Sequence, residues 1–390
     1  MALPRPPLAP PQHPLERLPE EWAAVVRAWG EPAYRGKQIF QWIHARGVWD
    51  PEQMTDLPKA LRAKLAEEGL GLPLEVAECR PASDGTRKML VRLGDGKDVE
   101  TVLIPQLTRG ATPDVDESDT EEDANAGLVP GDVVTQCISS QVGCAMGCVF
   151  CASGVAGLKR HMSAAEIVLQ VLLGRRYLVG NERIRNVVLM GMGEPLHNYE
   201  NVARVLVLLT HPEGIALSTR RVTLSTSGLV PMIDRLGAEF GGQVALAISL
   251  HAVDDERRSA IMPVNRKHPL DELVACLRRY PLPKRRRITI EYTLISGVND
   301  RLEDADRLVS LLRGVPIKVN LIPMNPVKDS ALGAPAWERV DAFQRRLYDR
   351  GVACFVRKQR GEDIDAACGQ LALHGAAARK SHVRVPVLPS

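Results

Sequence analysis

From Glu20 to about Leu70, apolar residues recur every three or four positions. That period predicts helices. Three segments carry it: EEWAAVVRAWG, YRGKQIFQWIHARG and PEQMTDLPKALRAKLAEEG. Asp50 followed by Pro51 reads as an N-cap and a first-turn proline. The pattern then changes, and RKMLVRL and VETVLIP, around a GDGKD turn, read as strands over 87–104. From Asp132 onward short β-like runs alternate with amphipathic ones. The predicted strands are VVTQCIS, NVVLM, RVTLS, VALAISL, ITIEYTLI, KVNLIP and ACFVRK. Between them lie helical segments such as SAAEIVLQVLLGRRYL, NYENVARVLVLLT and LDELVACLRRY. This alternation predicts parallel βαβ units. About six units predict an α/β fold of the barrel type, complete or partial, with its chemistry at the C-terminal ends of the strands.

Two stretches fall outside that pattern. Residues 1–19 hold seven prolines, a density that permits neither helix nor ladder and predicts a disordered tail. Residues 108–131 hold seven acidic residues between Asp114 and Asp123, which predicts a solvated loop rather than a catalytic carboxylate cluster. The expected organisation is therefore a tail over 1–19, a helical N-terminal domain over 20–80 and a β-hairpin extension over 81–131 that includes the acidic insertion. A core barrel over 132–371 and a C-terminal tail over 372–390 complete it.

Composition removes several classes. With 45% apolar and 25% charged residues in 390, wholesale disorder is excluded. No apolar run approaches the length of a membrane span, and the N-terminus lacks the apolar stretch of a signal peptide, so a cytoplasmic protein is the expectation. The net charge of +3 neither suggests nor excludes nucleic acid. Aromatic residues at 4% argue against a base-stacking platform.

The cysteines change the picture. There are eight, and four of them lie in one short segment, CISSQVGCAMGCVFC. A disulfide framework does not suit a long cytosolic chain, whereas clustered cysteines suit metal or redox chemistry. Cys144-x3-Cys148-x2-Cys151 puts three thiolates in eight residues, with Gly143 and Gly147 letting the loop curl. Three thiolates suit a [4Fe–4S] cluster with one iron open to a small molecule. Zinc sites usually take four ligands, and a structural zinc with Cys137 as the fourth is the alternative that the spacing leaves open.

The spacing, with Phe150 before the last cysteine, resembles the radical S-adenosylmethionine (SAM) superfamily. VETVLIP, CISSQVGCAMGCVFC, GMGEPLHN, RVTLSTSG, AISLHA, VNLIPMNP and RGEDIDAACGQL together resemble the RNA adenine C2-methyltransferase family, dual-specificity enzymes acting on 23S rRNA and tRNA. The matching motifs run in order from about Tyr34 to Leu371. The resemblance implies a partial (β/α)6 barrel, a [4Fe–4S] cluster on Cys144, Cys148 and Cys151, SAM at the open iron, and an N-terminal domain that assists RNA binding. It implies that Gly193 and Glu194 hold the SAM amino group. Ser225, Ser249, Leu250, His251 and Asn320 match the other SAM contacts. Each falls at the end of a predicted strand, where a barrel would need it.

The implied reaction explains the remaining chemistry. C2 of adenine is electron-poor and offers no nucleophile, so polar methyl transfer fails there and a carbon radical is needed; the hard step belongs to the cofactor. The resemblance implies that Cys368 takes a methyl group from a first SAM, as a nucleophilic thiolate can. A second SAM supplies the radical that activates this S-methyl group for addition to C2. Glu100 matches the proton acceptor, and Cys137 matches the resolving thiol that forms a transient disulfide with Cys368. Read alone, Glu100 is a solvated strand residue and Cys137 a core thiol. Cys79, Cys276 and Cys354 match nothing and read as structural.

Basic clusters at Arg175–Arg176, Arg220–Arg221, Arg278–Arg279 and Lys284–Arg287 would give salt-dependent phosphate affinity. A solvated helix face is the plainer reading of any one of them. The target base must leave its stack to enter a barrel. An external electron donor such as a flavodoxin system, and a monomeric enzyme, complete the expectation. The acidic insertion departs from the family pattern, whose connection there is shorter. Two rivals stand: a C8-adenine methyltransferase using the same cysteines, and a non-catalytic iron–sulfur or zinc protein that binds RNA.

Overall fold

The computed structural model describes residues 6–71, 74–109, 128–325, 332–357 and 360–371. The helical period of the N-terminal part gives α1 (Pro19–Ala28), α2 (Tyr34–Phe40) and α3 (Lys59–Glu67). Helix α2 runs on into a wider π-type turn at Gln41–Ala45. The stretch from Pro51 is not one helix. Asp50 caps a short 3-10 turn, accepting from Glu52 N at 3.0 Å, and α3 begins only after Pro58, because proline cannot sit inside a helix. Trp22, Ile39, Phe40, Ile43, Leu61 and Leu65 are fully buried and make the core of this part.

Strands β1 (Glu75–Pro81), β2 (Arg87–Arg92), β3 (Asp98–Arg109) and β4 (Leu128–Cys137) follow. They pair antiparallel in order. The helical domain therefore stops before Glu75, short of the expected 80. The ladder also claims 108–109 and 128–131 from the expected loop, since β3 and β4 pair as far as Arg109–Leu128; the acidic run itself lies outside the described residues.

Next come β5 (Gln141–Val142), α4 (Ala152–Ala156), β6 (Arg160–His161), α5 (Ala164–Gly174), β7 (Arg183–Leu189), α6 (Tyr199–Thr210), β8 (Val222–Thr226), α7 (Val230–Phe240) and β9 (Ala245–Ser249). They are followed by α8 (Asp255–Ile261), α9 (Leu270–Arg279), β10 (Ile288–Leu294), α10 (Leu302–Leu311), β11 (Ile317–Pro323), α11 (Trp337–Asp349) and β12 (Cys354–Val356). Among the described residues, β5 and β6 form a separate small sheet and the other ten strands form one sheet in chain order. From β4 through β12 the pairing is parallel. Parallel strands joined in chain order follow the right-handed crossover rule, which keeps connecting helices on one face of a sheet. The parallel pairing sets the C-terminal ends of β4 and β7 to β12 at one edge. The ends β1 and β12 do not pair, so this is an open, partial (β/α)6 barrel with a helical N-terminal part.

The proline-rich segment departs from expectation. Pro14–Glu16 forms a 3-10 turn, and Leu15 is fully buried. Glu16 accepts from Ala165 N at 3.0 Å. Arg204 on α6, itself buried, pairs with Glu21 at 2.9 Å and donates to the carbonyls of Glu16 and Ala9. Proline removes regular structure, but one leucine and one carboxylate are enough to pin a chain. The first five residues and 372–390 lie outside the described residues.

Candidate active site

The strand ends converge on a cleft enclosing about 900 Å³ of free space, part of it open to solvent. Its wall includes Cys144, Cys148, Cys151, Gly193, Glu194, Ser225, Ser249, His251 and Cys368. Nine residues expected from five separate motifs thus share one cavity.

The cysteine loop follows β4. Gly143 and Gly147 adopt left-handed φ of 76° and 68°. The loop is anchored by Val149 N, which donates to Ile261 O on α8 at 3.1 Å, and by Phe150, whose ring meets His251 edge-on at 4.8 Å. Helix α4 starts at once after Cys151. Burial pushes the Cys144 thiol up to about 12 and the Cys148 and Cys151 thiols upward as well. Neighbouring thiols add to the shift by like-charge repulsion. Two buried thiols and the half-buried Cys151, all facing one cleft, are what an iron–sulfur cluster would occupy, displacing their protons. Cys137 does not join this set: its electrostatic partners are Cys368 and Arg357. Among the described residues no three His, Cys, Asp or Glu side chains converge on a single-ion site.

The GMGEP turn is sterically specified. Gly193 has φ of 104°, and a Cβ there would lie 2.6 Å from Gln141 Cβ. Gln141 Oε1 accepts from Glu194 N at 2.8 Å. The Glu194 carboxylate accepts from Ser227 N at 2.7 Å, Ser227 Oγ at 2.8 Å and Leu196 N at 3.1 Å. Burial raises its pKa, and these hydrogen bonds oppose the rise. His251 sits at φ of 55°, buried, with Nδ1 accepting from Thr293 N at 2.9 Å. That bond fixes the tautomer with the proton on Nε2, and burial lowers the pKa to about 3. His251 is a neutral donor throughout the physiological range.

Two expected SAM contacts lie behind the wall. The Leu250 side chain is fully buried, and its carbonyl accepts from Arg258 Nε at 3.0 Å. Asn320 stands in one rung with Ser249 and Glu291 across β9, β10 and β11, and its amide donates to Glu291 Oε1 at 3.0 Å.

Cys368 lies on a C-terminal strap after β12. Asn325 Nδ2 donates to its carbonyl at 2.9 Å, Ala152 N to Gly369 O at 2.8 Å, and Ser153 Oγ to Leu371 O at 2.6 Å. The residue is exposed to the cleft while protein crowds its other sides, and that crowding raises its thiol pKa; Arg357 pulls the other way. Cys137, buried at the end of β4, is pushed up to about 12 by burial, with Cys368 adding to the shift. All eight cysteines are free thiols, so the expected disulfide is not formed in this state. Glu100 is not in the cleft wall. It is 2% exposed on β3, with its carboxylate 3.2 Å from Lys88 Nζ. It is not the solvated strand residue that its sequence alone suggests.

Several residues escaped sequence reasoning. Gln141, on the short strand β5, and Asn325, in the loop after β11, lie inside matched motifs but carry no chemical signal of their own. Glu291 carried a readable signal, a carboxylate inside the apolar run ITIEYTLI. The basic clusters are partly committed: Arg175 donates to His44 O at 3.2 Å, Arg176 lies 4.2 Å over Trp49, and Arg279 pairs with Asp234.

A three-cysteine loop on the first strand end of an open parallel barrel defines the radical SAM class, and residues 138–309 match the Radical SAM superfamily. Residues 19–69 match the ribosomal RNA large subunit methyltransferase N-terminal domain. The chain is 63% identical over 376 residues to the dual-specificity RNA methyltransferase RlmN of Sorangium cellulosum, covering 94% of this chain and 97% of that one. It is 47% identical to a probable protein of the same name from Heliobacterium modesticaldum, covering 92% and 89%. A crystal structure of a radical SAM methyltransferase from Sphaerobacter thermophilus superposes with a TM-score of 0.81 at 43% identity, covering 93% of this chain and 99% of that one. The chain belongs to the dual-specificity RNA methyltransferase family of radical SAM enzymes.

Proposed function

We propose that this protein methylates C2 of a specific adenine in 23S rRNA and of an anticodon-adjacent adenine in tRNA, with Cys368 as the methyl carrier. The observation that carries this reading is the placement of Cys368. It faces the same cleft as the three-cysteine loop, and it lies near enough to Cys137 to raise the cost of charging that thiol. A binding module has no use for such a pair.

When bound to Cys144, Cys148 and Cys151, the [4Fe–4S] cluster supplies one electron to SAM and so the carbon radical that C2 chemistry requires. The chain's own residues do the rest. Gly193, which lets the turn close against Gln141, presents Glu194 to hold the SAM amino group, and Ser225, Ser249 and His251 line the wall around it. The Asn320 amide, engaged with Glu291, leaves its carbonyl oxygen to accept. Cys368 gives its thiol proton to solvent and, as thiolate, takes a methyl group from the SAM sulfonium, releasing S-adenosylhomocysteine. The methyl carbon would give a hydrogen atom to the carbon radical derived from a second SAM, which leaves as 5′-deoxyadenosine, and would then bond to C2 and link RNA to Cys368. Glu100 would take the C2 proton as the adduct radical returns one electron to the redox chain that supplied it. Cys137, as thiolate, attacks the Cys368 sulfur. As the S–S bond forms, the sulfur–carbon bond breaks, its electron pair stays on carbon, and that carbon takes up a proton to become the product methyl group. An external thiol then reduces the disulfide. An external electron donor such as a flavodoxin system, a cytoplasmic location and a monomeric enzyme belong to the same reading. Among the described residues no helix is long and apolar enough to cross a membrane.

The test is a pair of variants. With cluster, reductant and SAM, Cys137→Ala should accumulate protein covalently joined to RNA. Cys368→Ala should form neither adduct nor methylated base while still binding RNA. Normal turnover by Cys137→Ala would remove the resolving-thiol assignment.

A further inference from the structure

Lys88 is a buried cation whose position the reaction as described does not use. It is 8% exposed on β2. Leu90 pairs with Glu100 and Lys88 with Val102, so Lys88 and Glu100 are diagonal neighbours on one face of the hairpin, within reach of each other. The Lys88 ammonium lies 3.2 Å from Glu100 Oε1, and it donates to Asp365 O at 3.2 Å. Asp365 belongs to the strap that carries Cys368. It has φ of 52°, a conformation costly for a residue with a side chain and kept only where surroundings impose it.

The surroundings do impose it. At the start of the strap, Arg360 pairs with Asp84 in the β1–β2 turn, and Gly361 N donates to the same carboxylate at 3.1 Å. Ser83 N donates to Asp363 at 2.9 Å. At its far end Asn325 holds the Cys368 carbonyl. The β1–β2 hairpin thus grips the strap, and one ammonium spans the gap between the strap and Glu100.

We propose that Lys88 is a positioning residue that ties the Cys368 strap to the Glu100 carboxylate, so that methyl carrier and proton acceptor are set in place together. The inference rests on the proposed roles of Cys368 and Glu100, but the clasp can be read without them. Losing a charge-assisted hydrogen bond to a strained carbonyl should let the strap open more often. The expected increase is about tenfold, equivalent to about 1.4 kcal/mol.

The experiment is amide hydrogen exchange over 361–371 in the cluster-loaded enzyme, with Lys88→Met, Lys88→Arg and Asp84→Asn beside wild type. Adduct formation is followed in parallel in a Cys137→Ala background. Lys88→Met should speed exchange in the strap about tenfold and slow loss of the C2 deuterium from C2-deuterated RNA. Lys88→Arg should restore both. Asp84→Asn cuts the other end of the clasp without touching Glu100, so it should speed exchange and leave deuterium loss nearer to wild type. It decides the strap question even where Lys88→Met fails to fold. Strap exchange unchanged in Lys88→Met, or in Asp84→Asn where Lys88→Met does not fold, overturns the inference. If wild type forms no adduct with RNA, the proposed function falls while the exchange result still judges the clasp.

Discussion

Replacing Gly193 with alanine tests how tightly the GMGEP turn is specified. Two costs arise. The backbone at φ of 104° disfavours any Cβ, by about 1–3 kcal/mol. The new Cβ would also stand 2.6 Å from Gln141 Cβ and 2.8 Å from Gln141 N, an overlap that backbone must move to relieve, for about another 1–3 kcal/mol. The sum, about 2–6 kcal/mol, is a large fraction of the usual 5–15 kcal/mol of a folded protein. Gly96 provides the control. It has φ of 78° in the GDGKD turn, and a Cβ there meets nothing within 4 Å. Gly96→Ala should carry the backbone cost alone. Urea unfolding followed by circular dichroism gives both midpoints. Gly193→Ala should lose at least about 1 kcal/mol more than Gly96→Ala. It should also bind S-adenosylhomocysteine more weakly, because Gln141 holds Glu194 N. Equal midpoints for the two variants, with unchanged binding, would refute the steric argument.

Other consequences follow from the same contacts. Burial lowers His44 and His251 to about 3. A histidine lowered on folding gives full stability above its unfolded value near 6.5 and loses it as pH falls toward the folded value. Between pH 6.5 and 5 each should therefore take away up to about 2 kcal/mol, and His44→Gln should flatten the fall of the urea midpoint; an unchanged slope would contradict the assignment. Arg204→Met unpins the N-terminal segment, so trypsin should cut at Arg17 much faster than in wild type; equal cleavage would mean that Leu15 alone holds it. Lys88→Met should loosen the Cys368 strap as described above.

The alternating pattern read the barrel well, because each parallel strand and its helix carry their own local period. All seven predicted strands from VVTQCIS to ACFVRK appear, as β4 and β7 to β12, paired parallel in chain order. The failures were tertiary. Nothing periodic announces that Leu15 and Glu16 dock on α5 and α6, or that β1 pairs outside the hairpin. Pro58 split a predicted helix through a backbone rule that the sequence did display. The site was legible where chemistry needs rare residue types, as in Cys144, Cys148 and Cys151, or a glycine that only glycine can replace, as in Gly193. It was not legible for Gln141, Asn325 and Lys88, whose partners are far along the chain. Glu100 was singled out by family resemblance, but its burial against Lys88 was visible only in three dimensions.

The central claim is methylation at C2, and the product itself tests it most directly. The cluster should be reconstituted without oxygen, then given reductant, SAM and a 23S rRNA fragment. The digested nucleosides should be resolved by mass spectrometry, with Cys368→Ala run beside wild type. The account predicts 2-methyladenosine from wild type and none from the variant. 8-Methyladenosine, or methylation that survives Cys368→Ala, would contradict it.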